Sequence, residues 1–167
     1  MRAVPGEGFR RGVRLAIDWG KARIGVAACD PDGMLAHPVG TVPAGPAAMA
    51  ELIRLVHEYA PIEVVVGYPR SLDGGEGIAA AAITQSAVEL AGRIAPTPVC
   101  LVDERLSTVV ATRRLKQAGR RARQQRAIID QAAAVAILDH ALDLERSTGR
   151  PPGSRVGEGP DDERNRE

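Results

Sequence analysis

Short, mainly apolar runs near the start of the chain have the length and composition of β-strands. Residues 13–18 and 23–29 are two such runs, and the short connection between them contains Gly20, which predicts a hairpin. The segment DPDG at 30–33 then supplies the proline and glycine of a turn, and a third strand is expected over residues 34–39. Three antiparallel strands therefore open the fold.

The next apolar positions change between helical and strand periods. Residues 46–59 and 83–94 carry apolar side chains at helical spacing, so each segment is predicted to form a helix. Between them, IEVVV at 62–66 is apolar on both faces, as expected of a buried parallel strand, and VCLV at 99–102 predicts a second one. The order is βαβ, which places these strands in one sheet.

Two further helices complete the predicted fold. One is expected from Ser107, a natural N-cap, to Gly119, and the other carries an apolar stripe over residues 129–144. A three-strand meander followed by right-handed βα units predicts an α/β, RNase H-like fold: a mixed five-stranded sheet in the order 3-2-1-4-5, flanked by helices. The domain is expected over 12–146, with disordered, Pro/Gly-rich ends at 1–11 and 147–167.

Composition fits a single cytoplasmic domain. A chain of 167 residues that is 44% hydrophobic has enough apolar surface for a core without disulfides or structural metal. Cys29 and Cys100 lie far apart without CxxC spacing, so buried free thiols are expected. No apolar run approaches the roughly 20 residues that span a bilayer, and the first residues lack the apolar segment of a signal peptide.

The net charge of +1 conceals a basic segment over residues 105–126, which contains no acidic side chain. Its cations are Arg105, Arg113, Arg114, Lys116, Arg120, Arg121, Arg123 and Arg126. They could form an ordinary solvated face, or they could contact nucleic-acid phosphates. With only 2% aromatic residues to stack on bases, recognition of backbone and shape is the more plausible mode of binding.

Three acidic residues fall at the ends of predicted elements. Asp18 ends the first strand, Glu104 follows the last strand, and Asp130 lies at the start of the final helix. Ligands of open α/β sheets usually bind outside the carboxyl ends of the strands, where these acids would converge. Carboxylates suit Mg²⁺ or Mn²⁺, and two such ions can promote phosphodiester hydrolysis. Gly67, closely followed by Pro69, leaves space between the acids.

Each acid also has an ordinary structural interpretation. Asp18 could shape the turn at Gly20, Asp130 could favour the positive end of its helix, and Glu104 could form a surface ion pair. The metal site is preferred because all three acids fall at element ends on one side of the sheet.

Four segments in this order resemble the YqgF family, also called RuvX: AIDWGKARIGVA, VVVGYPRSLDG, VDERLST and IDQAAAVAIL. The resemblance covers about residues 15–144. The family comprises Holliday-junction resolvases and nucleases that trim precursor small-subunit ribosomal RNA. It implies that Asp18, Glu104 and Asp130 are catalytic and bind metal. It also implies that Arg23, Arg105, Ser107 and Thr108 are polar residues around these acids. From the residues themselves, Gly20, Gly67 and Pro69 are expected to support the site, and Lys21, Arg23 and the arginines of the basic segment are expected to contact nucleic acid.

The leading hypothesis is therefore a nuclease that uses Mg²⁺ or Mn²⁺, two ions in all, to cut branched DNA or precursor ribosomal RNA. Symmetric cutting of a junction would favour a homodimer. One rival is a non-catalytic protein that binds nucleic acid through the same basic segment. The other, an actin-like ATPase, is disfavoured because the Asp-x-Gly hairpin at Asp18 is not repeated.

Overall fold

The computed structural model describes residues 8–69, 77–103 and 122–157, with only the backbone described over 122–129. In these residues six strands form one sheet in the order β3-β2-β1-β4-β5-β6. The strands are β1 (Arg14–Trp19), β2 (Arg23–Cys29), β3 (Ala36–Pro43), β4 (Glu63–Tyr68), β5 (Val99–Asp103) and β6 (Ser154–Arg155). The described helices are α1 (Ala48–Tyr59), α2 (Ile78–Ile94) and α3 (Ala122–Thr148).

The pairing of the first five strands confirms the predicted order. β1 pairs antiparallel with β2 and parallel with β4, so it lies inside the sheet. β2 continues antiparallel to β3, and β4 continues parallel to β5. The predicted helix at 107–119 lies outside the described residues. The stripe at 129–144 lies within α3, which extends beyond it at both ends.

A sixth strand corrects the prediction of five. Part of the tail that was predicted to be disordered returns to the sheet, where Ser154 pairs with Leu101 of β5 and Arg155 pairs with Cys100. Gly153 adopts a positive φ of 69° and approaches β5 so closely that a Cβ there would lie 2.0 Å from the carbonyl oxygen of Leu101. The composition signalled flexibility, but the glycine permits a turn that covers the open edge of β5.

The third strand begins and ends later than predicted. Residues 34–39 were expected to be extended, whereas β3 spans Ala36–Pro43. The carboxylate of Asp30 accepts the backbone N–H groups of Met34, at 2.9 Å, and Leu35, at 2.7 Å, so both residues stay in the turn. Their side chains are 78% and 68% exposed, which shows that they do not belong to the core side of a strand.

The sheet is covered on both faces. Alternation along β1 directs Leu15 and Ile17 to the core shared with α1 and α2, and Ala16 to the core shared with α3. On the α3 face, Ala16 and Ala27 of the neighbouring strand are fully buried, and their small side chains allow the helix to approach. Asp18, two residues after Ala16, lies on this same face.

The segment before β1 is packed in its described part. Arg10 donates from its backbone N–H and its side chain to the carboxylate of Glu145 near the end of α3. The ring of Phe9 lies beneath the guanidinium groups of Arg14 and Arg146, 4.5 Å and 4.9 Å from its centroid. Residues within 8–11 thus make defined contacts in a segment that was predicted to be disordered. No helix in the described ranges has the length and apolarity needed to cross a bilayer.

Candidate functional site

A glycine in β2 brings two of the predicted acids together. Gly25 is the register partner of Asp18, the partly buried acid near the end of β1. A Cβ on Gly25 would lie 2.0 Å from the carbonyl oxygen of Asp130 and 2.5 Å from its carbonyl carbon. Only glycine allows such an approach, because the colliding atoms belong to backbone and cannot rotate away. The backbone of α3 thus rests on the sheet at Asp130, beside Asp18.

Arg23 holds the side chain of Asp130. Its Nε donates to Oδ2 of Asp130 at 2.8 Å, and the two side chains are 33% and 19% exposed. Arg23 lies two residues before Gly25 and therefore on the same face of β2. It was predicted to contact nucleic acid, and the structure shows that one of its donors is committed to an acid. A guanidinium has further N–H donors that can serve a second acceptor.

The turn that joins β1 to β2 is tight at Gly20. Its N–H donates to the carbonyl of Arg23 at 3.0 Å, and a Cβ on Gly20 would lie 2.4 Å from that oxygen. Lys21, predicted to contact nucleic acid, follows in the turn with an exposed side chain. The structure therefore places an exposed cation at the same end of the sheet as Asp18.

β4 separates Asp18 from the end of β5, as the sequence predicted. Ile17 pairs with Val66, so the next positions along the two strands are Asp18 and Gly67. Gly67 is buried and pairs with Val102 of β5. Since Gly67 has no side chain, β4 projects no Cβ between β1 and β5 at this level. Pro69 follows the end of β4 and is partly buried.

The third predicted acid, Glu104, directly follows the last described residue of β5 and lies outside the described residues. The same holds for Arg105, Ser107, Thr108, Arg113, Arg114, Arg120 and Arg121. Arg123 and Arg126 belong to the part of α3 whose side chains are not described. Within the described residues, no group of three or more His, Cys, Asp or Glu side chains could hold a metal ion. The structure brings two of the three acids together and leaves the third as a prediction.

One polar pair beside the acids was missed by the sequence reasoning. Gln131, which follows Asp130, donates from Nε2 to Oγ1 of Thr41 in β3 at 3.1 Å. Thr41 is the register partner of Gly25, so it lies on the same row of the sheet as Asp18. The only sequence signal was the adjacency of Gln131 to a candidate acid, because Thr41 is remote in the chain.

A second group of ionisable residues lies at the other end of β1 and β4. Arg14 and Glu63 begin these strands, and Glu145 of α3 accepts hydrogen bonds from Arg14 and Arg10. Burial raises the pKa of the Glu63 carboxyl, against the opposing effect of Arg10. Burial and the nearby Glu63 carboxylate raise the pKa of the Cys100 thiol to about 12. These groups contact one another inside the protein, at the end of the strands opposite to Asp18.

Comparison with known proteins identifies the family of this chain. The model of the RuvX family, described as Holliday junction resolvase, matches residues 12–144. The chain belongs to the RuvX family. A relative from Streptomyces coelicolor is 60% identical over 153 residues, which cover 90% of this chain and 92% of the relative. One from Thermobifida fusca is 53% identical over 155 residues, covering 89% and 98%. Both carry the name "Putative pre-16S rRNA nuclease".

Solved structures of RuvC show the same fold as this RuvX chain. Thermus thermophilus RuvC in complex with a Holliday junction substrate aligns with a TM-score of 0.53 and 19% identity, covering 84% of this chain and 99% of RuvC. A second structure of Thermus thermophilus RuvC aligns with a TM-score of 0.51 and 20% identity, covering 83% and 99%. At this level of identity the likeness confirms the RNase H-like fold.

Proposed function

We propose that this RuvX-family chain is a divalent-metal-dependent nuclease that hydrolyses phosphodiester bonds in structured nucleic acid. The observation that carries the proposal is the contact at Gly25, which brings the backbone of Asp130 onto the sheet beside Asp18. Asp130 is 107 residues from Arg23, its ion-pair partner in β2, and the contact at Gly25 places it at the end of the sheet where Asp18 lies. Family membership supports the nuclease activity itself.

The donor set at this place fits a hard cation. Asp18 and Asp130 offer carboxylate oxygens, which Mg²⁺ and Mn²⁺ prefer, and we assign Glu104 as the third ligand because it follows β5 directly. Two such ions, when bound, would activate water and stabilise the leaving oxygen of a phosphodiester. Gly67, between the strands that carry these residues, contributes no side chain of its own.

The other residues of the site would position the nucleic acid. Arg23 keeps the carboxylate of Asp130 in place through Nε and can turn its remaining donors to a phosphate, since its side chain is one third exposed. Lys21 adds an exposed cation at the same end of the sheet. The arginines of the basic segment would extend the phosphate contacts, so binding should weaken steeply as salt concentration rises.

We favour a precursor of 16S ribosomal RNA as the substrate, because relatives that are 50–60% identical over most of the chain carry that name. Branched DNA is the second candidate, from the family description and from the RuvC complex with its junction. Cutting a junction symmetrically would require two copies of the chain related by a two-fold axis. We expect the protein to act in the cytoplasm.

The test is cleavage of end-labelled precursor 16S rRNA and four-way DNA junctions by the wild type, Asp18→Asn and Asp130→Asn, each with Mn²⁺, Mg²⁺ or EDTA. We expect metal-dependent cutting that both substitutions abolish while the fold, followed by circular dichroism, is unchanged. Asp32→Asn is the matched control, because Asp32 is an exposed acid in the β2–β3 turn, paired with Arg11. Binding of both substrates without cutting by the wild type would select the non-catalytic alternative.

Glu104→Gln tests the third ligand separately. It should behave as Asp18→Asn does, although Glu104 lies outside the described residues. Full cleavage by Glu104→Gln, together with loss of cleavage by Asp18→Asn, would show that the site uses a different third ligand.

A further inference from the structure

Three adjacent strands present Thr41, Gly25 and Asp18 in one row beneath the start of the described side chains of α3. Gly25 is the register partner of both other residues, so Thr41 lies about 10 Å from Asp18 at the usual strand spacing. Asp130 rests on the middle position, and Gln131 reaches the outer one. The helix therefore contacts the β2–β3 hairpin through Asp130, a proposed metal ligand, and through its neighbour Gln131.

The contact at Gly25 sets how closely α3 approaches the sheet, but it cannot set the rotation of the helix. A glycine offers no side chain that could interlock with the helix, so its contact does not set the rotation of α3 at Asp130. The apolar stripe further along the helix sets the face that is buried, and contacts on either side of Gly25 adjust the rotation at Asp130. Arg23 makes one of these contacts, on the Asp130 side chain itself, at 2.8 Å.

The hydrogen bond from Gln131 to Thr41 is the second contact. Consecutive residues of an α-helix project about 100° apart around its axis, so the two bonds act on the helix in different directions. Both Thr41 and Gln131 are partly buried, which shields their 3.1 Å hydrogen bond from water. Together the two contacts restrain the orientation of the Asp130 carboxylate.

We propose that Thr41 and Gln131 are positioning residues of the metal site. Their hydrogen bond fixes the rotation of α3, and with it the direction in which Asp130 offers its carboxylate to an ion shared with Asp18. We call the hydrogen bond between Thr41 and Gln131 the latch. The latch is inferred from the structure alone, whereas its effect on metal binding rests on the proposed metal-dependent function. Neither residue was among the candidates that the sequence predicted.

The experiment uses three threonine variants of the full chain. Thr41→Val keeps the size and branching of the side chain but removes the acceptor, and Thr41→Ser restores a hydroxyl. Thr84→Val is the matched control, because the hydroxyl of Thr84 donates to the carbonyl of Ala80 within α2, on the other face of the sheet. Hydrogen exchange of the α3 amides near Asp130 is measured without metal, and Mn²⁺ affinity is measured by electron paramagnetic resonance without substrate.

Thr41→Val should speed exchange of these amides about two- to twelvefold, the ratio for one hydrogen bond of about 0.5–1.5 kcal/mol. It should also weaken Mn²⁺ binding by about tenfold, as the loss of a partner behind a metal ligand does. Thr41→Ser should restore both values, and Thr84→Val should change neither. The double variant Thr41→Val/Gln131→Leu should be no worse than Thr41→Val, since the two residues form one contact.

Each result decides a separate part of the proposal. Unchanged exchange in Thr41→Val would overturn the latch. Faster exchange with unchanged Mn²⁺ affinity would overturn its role in positioning Asp130. A wild type that binds no Mn²⁺ would overturn the proposed metal-dependent function, and the exchange data would still decide whether the latch holds the helix.

Discussion

Glu145→Gln should destabilise the protein more than any comparable change of a surface acid. Glu145 is 1% exposed and accepts from Nη2 of Arg14 at 2.5 Å and from Nε of Arg10 at 3.0 Å. Glutamine keeps the shape but removes the charge, which leaves the guanidinium of Arg14, only 3% exposed, without its carboxylate. Breaking a buried ion pair by removing one partner costs about 3–5 kcal/mol, because the remaining charge stays desolvated.

For a chain of this length, 1 kcal/mol shifts the midpoint of thermal unfolding by about 2–4 °C, so the expected loss is roughly 6–20 °C. Circular dichroism at 222 nm during heating, with urea unfolding alongside, measures both the midpoint and the free energy of unfolding. Glu51→Gln is the matched control: Glu51 pairs with Arg54 across one turn of α1, with side chains 41% and 57% exposed. That surface pair should contribute less than about 1 kcal/mol.

The refuting result is a loss in Glu145→Gln that is no larger than the loss in Glu51→Gln. It would mean that Arg14 finds sufficient compensation in the backbone carbonyl groups of Gly12 and Arg10, which also accept its hydrogen bonds. A double variant, Arg14→Met/Glu145→Leu, sharpens the comparison. Replacing both charges by apolar side chains should cost less than the sum of the two single changes, because no buried charge is then left alone.

Three other predictions follow from the described contacts. Gly25→Ala places a Cβ 2.0 Å from the Asp130 carbonyl oxygen, so it should lower the free energy of unfolding in urea by about 1–3 kcal/mol and lower the cleavage rate about 100-fold. Gly92→Ala is the control and should do neither, because a Cβ there meets nothing within 4 Å. The Cys100 thiol, with its pKa raised to about 12, should resist a thiol-reactive dye at pH 8 until urea unfolds the chain; rapid labelling of the native protein would contradict this. The pKa of Asp30 is lowered by hydrogen bonds that its carboxylate accepts from backbone N–H groups, chiefly that of Leu35, so its stabilising effect is present above its ordinary pKa and is lost as pH falls through the lowered value. Asp30→Asn should therefore flatten the acid side of a plot of the free energy of unfolding against pH. A plot that matches that of the wild type would exclude the effect.

Periodicity in the sequence was sufficient for the order of the first five strands. The apolar runs of β1, β2 and β4 are buried on both faces of the sheet, and that burial is what holds those strands together. The start of β3 was wrong because the carboxylate of Asp30 holds the next residues in a turn. Hydrogen bonds from a side chain to nearby backbone compete with strand formation and leave no trace in the apolar pattern. The return of Ser154–Arg155 to the sheet was missed for a similar reason, since two residues have no periodicity to detect.

The sequence by itself placed Asp18 near the end of the first strand. Its prediction that Asp130 lies at the start of the last helix was wrong, because α3 begins eight residues earlier, at Ala122. Only the tertiary structure decided how they are held. Arg23 and Asp130 are 107 residues apart, and Thr41 and Gln131 are 90 apart. Contacts of this kind arise when α3 packs on the β2–β3 hairpin at Gly25, and the side-chain pairing depends on the position and rotation of that helix. Neither is encoded in the spacing of apolar residues along a single element, because periodicity specifies the face that an element buries and not the residue that it meets there.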